Sequence, residues 1–178
     1  MDETEPLSLD QLYAAICTGI AAALPAAQAV EVWPDIRRRI ALPAVLLELD
    51  ELEPGSDPGT GETALIGRFQ ARIVVDPVVA QPQQRASLMA AALAVALRDQ
   101  RWGLPIGAAE FVEAGPDWLK PELDGYVVWR VEWRHEFHLG QLEWPYEDST
   151  GTTLYLGIDP DTGPGHEPDY WPSGEEAP

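Results

Sequence analysis

The stretch Tyr126-Val127-Val128-Trp129-Arg130-Val131-Glu132-Trp133-Arg134-His135-Glu136-Phe137-His138-Leu139 decides the fold. Val127, Trp129, Val131, Trp133, His135, Phe137 and Leu139 share one parity; Tyr126, Val128, Arg130, Glu132, Arg134, Glu136 and His138 share the other. Side chains alternate across a strand, so the first set makes an apolar face and the second a largely charged one. Alternation sustained over this length predicts an antiparallel strand covered on one side only. The run exceeds the usual strand of about 5–6 residues, as expected of a strand that protrudes, bends or lies in an assembly interface. Its Arg-Glu-Arg-Glu face is expected to pair with Glu48 and Asp50 on one neighbour, or with Arg68 and Arg72 on another.

Outward from this strand, the remaining elements follow from periodicity. Leu9, Leu12, Tyr13, Ile16, Cys17, Ile20 and Leu24 recur at helical spacing, with Ser8 as N-cap, Gln11 in the capping-box position and Pro25 as the stop. Ala44 to Asp50 reads as a strand, followed by a Pro/Gly-rich loop, Glu51 to Gly61, expected to be a mobile hairpin tip. A second strand runs from about Thr63 to Asp76, with Leu65, Phe69, Ala71, Ile73 and Val75 on one face and Ile66, Arg68, Gln70 and Arg72 on the other. A second helix spans about Gln84 to Arg101, with Leu88, Met89, Ala92, Leu93, Ala96 and Leu97 assigned to its packed face. A shorter strand, about Ile106 to Glu113, precedes the closing strand. The order α-β-β-α-β-β predicts an α+β two-layer sandwich, an antiparallel sheet with both helices on its apolar face.

The chain has 178 residues, 46% of them hydrophobic, enough for one domain with a core. Its 11 Lys and Arg face 30 Asp and Glu, for a net charge of -19. That balance argues against binding nucleic acid by phosphate neutralisation and against adhesion to an anionic membrane. The longest apolar run, Leu88 to Leu97, is far shorter than the roughly 18 residues of a membrane span. The acidic start, Met1-Asp2-Glu3-Thr4-Glu5, is unlike a signal peptide, so an intracellularly made protein is expected. All 11 basic residues lie between Arg37 and Arg134, whereas nine acids and no base follow Gly140. This break predicts a domain over residues 1–140 and an irregular acidic arm over 141–178.

Motifs for chemistry are sparse. A lone cysteine, Cys17, excludes an internal disulfide and sits in the apolar stripe of the first helix, where a buried structural thiol is the simple reading. The loop Glu53-Pro54-Gly55-Ser56-Asp57-Pro58-Gly59-Thr60-Gly61 lacks the Gly-Lys-Ser/Thr ending of a phosphate-binding loop and is acidic. His135 and His138 point to opposite faces of their strand, and His166 lies in a turn-rich segment without a second histidine at helical spacing. Asp159-Pro160-Asp161-Thr162-Gly163 echoes the start of a calcium loop, but Pro164 follows where the glycine is needed. No catalytic, metal or cofactor site is therefore assigned. Trp144, Tyr146, Tyr155, Tyr170 and Trp171 fall in the acidic arm, where large aromatic rings suit docking onto the same domain or onto a partner.

Three stretches combine with the element order: Leu42-Pro43-Ala44-Val45-Leu46-Leu47-Glu48-Leu49 entering the sheet, the Pro-Gly hairpin tip, and Gly125-Tyr126-Val127-Val128-Trp129-Arg130-Val131-Glu132-Trp133. With them, Leu9 to Gly140 resembles the tail terminator proteins of long-tailed bacteriophages. The resemblance implies a non-enzymatic structural virion protein in the tail or neck, assembled in the host cytoplasm. Such a protein forms a homohexameric ring that caps the tail tube and offers a docking surface to the head–tail connector or stopper protein. DNA would pass through without specific binding, which the acidity of the chain suits. No cofactor is implied. Candidate interface residues are Arg68, Arg72, Arg130 and Arg134 on the sheet and Trp144, Tyr146, Tyr170 and Trp171 in the arm. Compact members of the family end near the closing strand, so residues 141–178 are a departure. A head–tail joining or other tail-completion protein is the alternative among virion proteins, and a small acidic enzyme or inhibitor the alternative from another class.

Overall fold

The closing strand is β5, Val127–Leu139, and the sheet is built around it. The computed structural model describes residues 6–33, 40–143, 155–156, 162–166 and 170–172, in two compact units, Met1–Trp144 and Pro145–Pro178. In the first unit, β1 (Ala29–Val32), β2 (Ala44–Pro54), β3 (Thr63–Val75), β4 (Glu110–Pro116) and β5 form one sheet in the order β1-β2-β3-β5-β4. Helices α1 (Leu9–Ala23) and α2 (Pro82–Ala96) pack on one face of it. The architecture is the α+β sandwich of sheet plus helices that the hydrophobic patterning predicts.

The core follows the period-two faces. Phe69, Ala71, Ile73 and Val75 of β3 meet Val127, Val131, Trp133 and Phe137 of β5 beneath Leu12, Ile16 and Ile20 of α1. Phe69 stacks on Trp133 with ring centroids 5.9 Å apart. The two strands are in continuous antiparallel register from Thr63↔Leu139 to Val75↔Val127, so all these rings and branched side chains fall in one layer. Gly67 makes room for the aromatic layer: a Cβ there would lie 2.8 Å from the Phe137 ring. Helix α1 begins with a capping box in which the Gln11 N–H donates to Ser8 Oγ at 3.1 Å and the Ser8 N–H donates to Gln11 Oε1 at 2.8 Å.

Several expectations are corrected. The sheet is mixed, because β1, absent from the predicted order, runs parallel to the start of β2 (Ala29↔Ala44 to Val32↔Leu47). Four residues are too few to show a period, and only pairing with β2 makes them a strand. Strand β2 continues past Asp50 to Pro54, because β3 offers partners as far as Pro54↔Leu65; the loop narrows to residues 55–62. Pro54 is tolerated there because β1 pairs only with Ala44 to Leu47, leaving the far half of β2 as an edge. Strand β4 begins at Glu110 rather than Ile106. Ile106 is drawn into the core, and the Gly107 N–H donates to the Glu136 carbonyl at 2.7 Å. Helix α2 ends at Ala96, and its buried residues are Ala86, Met89, Ala90 and Leu93. Leu88 and Ala92, assigned to the packed face, are exposed.

The opposite face of the sheet is not simply wet. Ala44, Leu46, Val74, Leu123 and Val128 form a second small cluster there, with Trp33, Ile40 and Leu42 packed against it. Residues of the connections on this face therefore cover Val128, which the alternation placed toward water. In the second unit, β6 (Tyr155–Leu156) pairs antiparallel with β7 (Trp171–Pro172). The Gly163 N–H donates to the Tyr170 hydroxyl at 2.9 Å. No helix among the described residues is long and apolar enough to cross a membrane.

Candidate functional site

The charged face of the sheet gathers most of the residues that the alternation singled out. Arg68, Gln70 and Arg72 of β3 lie opposite Arg134, Glu132 and Arg130 of β5 in register. Two arginine pairs therefore face each other across the strands, an arrangement that is unfavourable without intervening acids. Glu132 supplies part of the compensation, with ion pairs to Arg68 at 3.6 Å and Arg130 at 3.8 Å. Gln70, opposite Glu132 in the middle rung, donates from Nε2 to both Asp50 and Glu132 at 3.1 Å. Arg68 also reaches Glu51 at 3.6 Å and Glu53 at 3.5 Å, and Arg130 pairs with Glu113 of β4.

Arg72 is the buried centre of this face, with its side chain only 3% exposed. Its Nε donates to Asp117 Oδ2 at 2.7 Å, Nη1 to Glu48 and Nη2 to Gln70. Lys120 donates to the other oxygen of Glu48 at 3.0 Å. The Trp33 ring lies beside both cations, 5.3 Å from the Arg72 guanidinium and 4.9 Å from the Lys120 ammonium. Burial alone would raise the Asp117 carboxyl. The Leu119 N–H, the Arg72 hydrogen bond and the charges of Arg72 and Arg130 outweigh it and hold the group below its ordinary range. The ion pair is thus fully dressed with hydrogen bonds, the condition under which a buried charge is tolerated.

The four sheet arginines are therefore brought together, but they differ in availability. Arg72 is enclosed by its own chain. Arg68, Arg130 and Arg134 are half-buried, and Nε of Arg68 and of Arg134 has no hydrogen-bond partner among the described residues. Of the arm residues, Tyr170 is half-buried within its own unit and Trp171 belongs to β7. Trp144 and Tyr146 lie outside the described residues, as do Asp159 and Asp161.

Comparison with known proteins adds one finding about architecture. No protein-family model and no curated protein matches the sequence. A chain in a solved structure titled "Virion of native gene transfer agent (GTA) particle" shares the fold. The match has a TM-score of 0.51 at 18% identity and covers 72% of this chain and 95% of that one.

The chemistry of the face is that of fixed charge. Among the described residues no group of three or more His, Cys, Asp or Glu side chains is placed to hold a metal ion. Burial, then the nearby Glu31 charge, push the Cys17 thiol up, away from nucleophile character. His135 is buried in the core, where its Nδ1 faces the Gly107 carbonyl at 2.9 Å and its Nε2 accepts from Trp102 Nε1 at 2.7 Å. Those contacts assign the proton to Nδ1 and engage both ring nitrogens inside the chain. Sequence reasoning missed Asp117, Lys120 and Trp33. They sit in connections without periodicity, and only the folded chain brings them to Arg72.

Proposed function

We propose that this chain is a structural, non-catalytic component of a phage-like virion, and specifically a tail terminator. In this reading it forms a homohexameric ring that caps the tail tube and presents a docking surface to the head–tail connector or stopper protein. The supporting observation is the shared fold: an α+β domain that covers nearly the whole length of a chain from a virion particle. The resemblance of residues 9–140 to tail terminators narrows that reading. A face of fixed charges held by a buried Arg72–Asp117 pair suits a surface that must meet partners in one geometry. Arg68, Arg130 and Arg134 would contribute to contacts with neighbouring subunits or the tube, arranged by Arg72. The acidic arm, with Trp144, Tyr146, Tyr170 and Trp171, would dock on a neighbouring subunit or the head-side partner.

The test is direct. Purified chain is mixed with capless tail tubes of a long-tailed phage assembly and imaged by electron microscopy, with mass measurement of the free and bound species. Closed rings at one end of the tubes are expected. A chain that never joins tubes, under conditions where the tubes stay intact, overturns the tail-terminator reading.

A further inference from the structure

Helix α2 departs from the pattern of a surface helix. Its inner face carries Ala86, Met89, Ala90 and Leu93 into the core. Its outer face is apolar as well, with Leu88 62% and Val95 77% exposed and Ala91 and Ala92 between them. A helix that is apolar all round is normally covered on both sides. Arg85 stands near the start of the outer face, and Arg98 and Arg101 follow its end, all exposed. Arg98 keeps only a loose 3.7 Å ion pair with Asp99, both side chains being 88% exposed. In a chain of net charge -19, this is a local excess of positive charge around an apolar stripe.

A second surface has the opposite rim. In the connection between β4 and β5, Trp118 is 71% and Leu119 76% exposed, and Tyr126 is 45% exposed. This loop is held in place rather than draped. Asp117, locked by Arg72, accepts from the Leu119 N–H at 2.9 Å, and the Asp117 N–H donates to the Val128 carbonyl at 3.1 Å. The two large side chains are thus pre-positioned, which lowers the ordering cost of a contact. The exposed charges beside them are Glu122 and Asp124; Lys120 is engaged by Glu48. Four of the five most exposed large apolar side chains of the described residues lie on these two surfaces.

We infer that the outer face of α2 in one copy of this chain binds the 117–126 loop of the next copy. The inference deepens the proposed ring and rests on that reading. Apolar stripe meets apolar loop, and an arginine rim meets a carboxylate rim. Pairing either surface with itself would set like charges together, so the contact is heterologous, the kind that generates rings. Strand addition at β4 is not the mode. That edge is blunted by the Phe111/Glu113 bulge, by Glu110 and Glu113, and by Pro116.

The test is a charge swap in the full chain, read by sedimentation across a concentration range. Arg85→Glu with Arg98→Glu is expected to weaken self-association about tenfold or more, as is Glu122→Lys with Asp124→Lys. All four substitutions together should restore it, because the reversed rims again complement each other. Leu88→Ser with Trp118→Ala should abolish association in either charge background. These positions are exposed, and an unchanged melting temperature confirms that folding is intact. If wild type associates but the reversals are neutral, or the fourfold variant is not rescued, the inference is overturned while the ring reading stands. A wild-type chain that stays monomeric throughout also overturns it; the ring is then judged by tube capping alone.

Discussion

His135 sits on the apolar face of β5 without being a mismatch there. Burial is the larger influence and lowers its pKa from the ordinary 6.5; the contact to the Gly107 carbonyl opposes that only in part. The folded ring is therefore held neutral while the unfolded chain protonates near 6.5. Stability is full above that pH and falls as pH drops toward the lowered folded value, by up to about 1.4 kcal/mol per pH unit. Urea midpoints at pH 7.5 and below 6 should show this loss, and a His135→Phe variant should lack it in that window. Gly19→Ala should perturb the same site from outside, because its Cβ would lie 2.2 Å from Trp102, the donor to His135. Asp117 has the same sign of dependence, in a window at lower pH. Its folded pKa lies below 3.8, so its contribution holds above 3.8 and is lost as pH falls further. Removing one partner of the buried network, as in Asp117→Ala, leaves Arg72 Nε without its acceptor while Glu48 still balances the charge, and should cost about 1–3 kcal/mol. Arg72→Met with Asp117→Leu should cost much less, a difference that equilibrium unfolding measures.

At the scale of elements, β5 carries the core, but not uniformly along its length. Trp133 is fully buried against Phe69, whereas Trp129 is half-buried with its Nε1 3.4 Å from Gln83 Oε1. Trp133→Ala should therefore cost about 3–5 kcal/mol, and Trp129→Ala distinctly less. Equal losses in denaturant midpoint would mean that the aromatic layer is not the centre of stability. The loop 55–62 is tied by the Gly55 N–H to the Ala64 carbonyl at 2.9 Å and by the Ser56 N–H to Glu136 at 3.2 Å. It contributes nothing to the hydrophobic cluster of the sheet. Deleting Gly55–Gly59 should leave a cooperative unfolding transition while reducing attachment to tail tubes; loss of the transition would make the loop a folding element.

For the whole molecule, the chain divides into the units Met1–Trp144 and Pro145–Pro178, four residues beyond the boundary read at Gly140. Truncation after Trp144 should leave the first unit folded, because its last strand, β5, ends at Leu139, yet weaken assembly. Hydrogen exchange on free and tube-bound chain provides the check. Random-coil exchange of the arm in both states would remove its proposed docking role.

What the amino-acid order determined is what depends on near neighbours. The capping box of α1, the period-two faces of β3 and β5, and hence the α+β sandwich were legible because each is encoded within one segment. The arginines at 68, 72, 130 and 134 were legible as one charged face for the same reason. The tertiary structure alone decided what depends on partners distant in the chain. Strand β1 exists because β2 pairs with it, and β2 runs on to Pro54 because β3 is long enough to hold it. Which side of α2 packs could not be read from a helix with alanines all round, since its two faces differ little in hydrophobicity. Arg72 became a buried anchor rather than a surface charge because Asp117 and Glu48, remote from it in sequence, converge on one guanidinium. Periodicity reports which face a side chain takes; only the folded chain reports what covers that face.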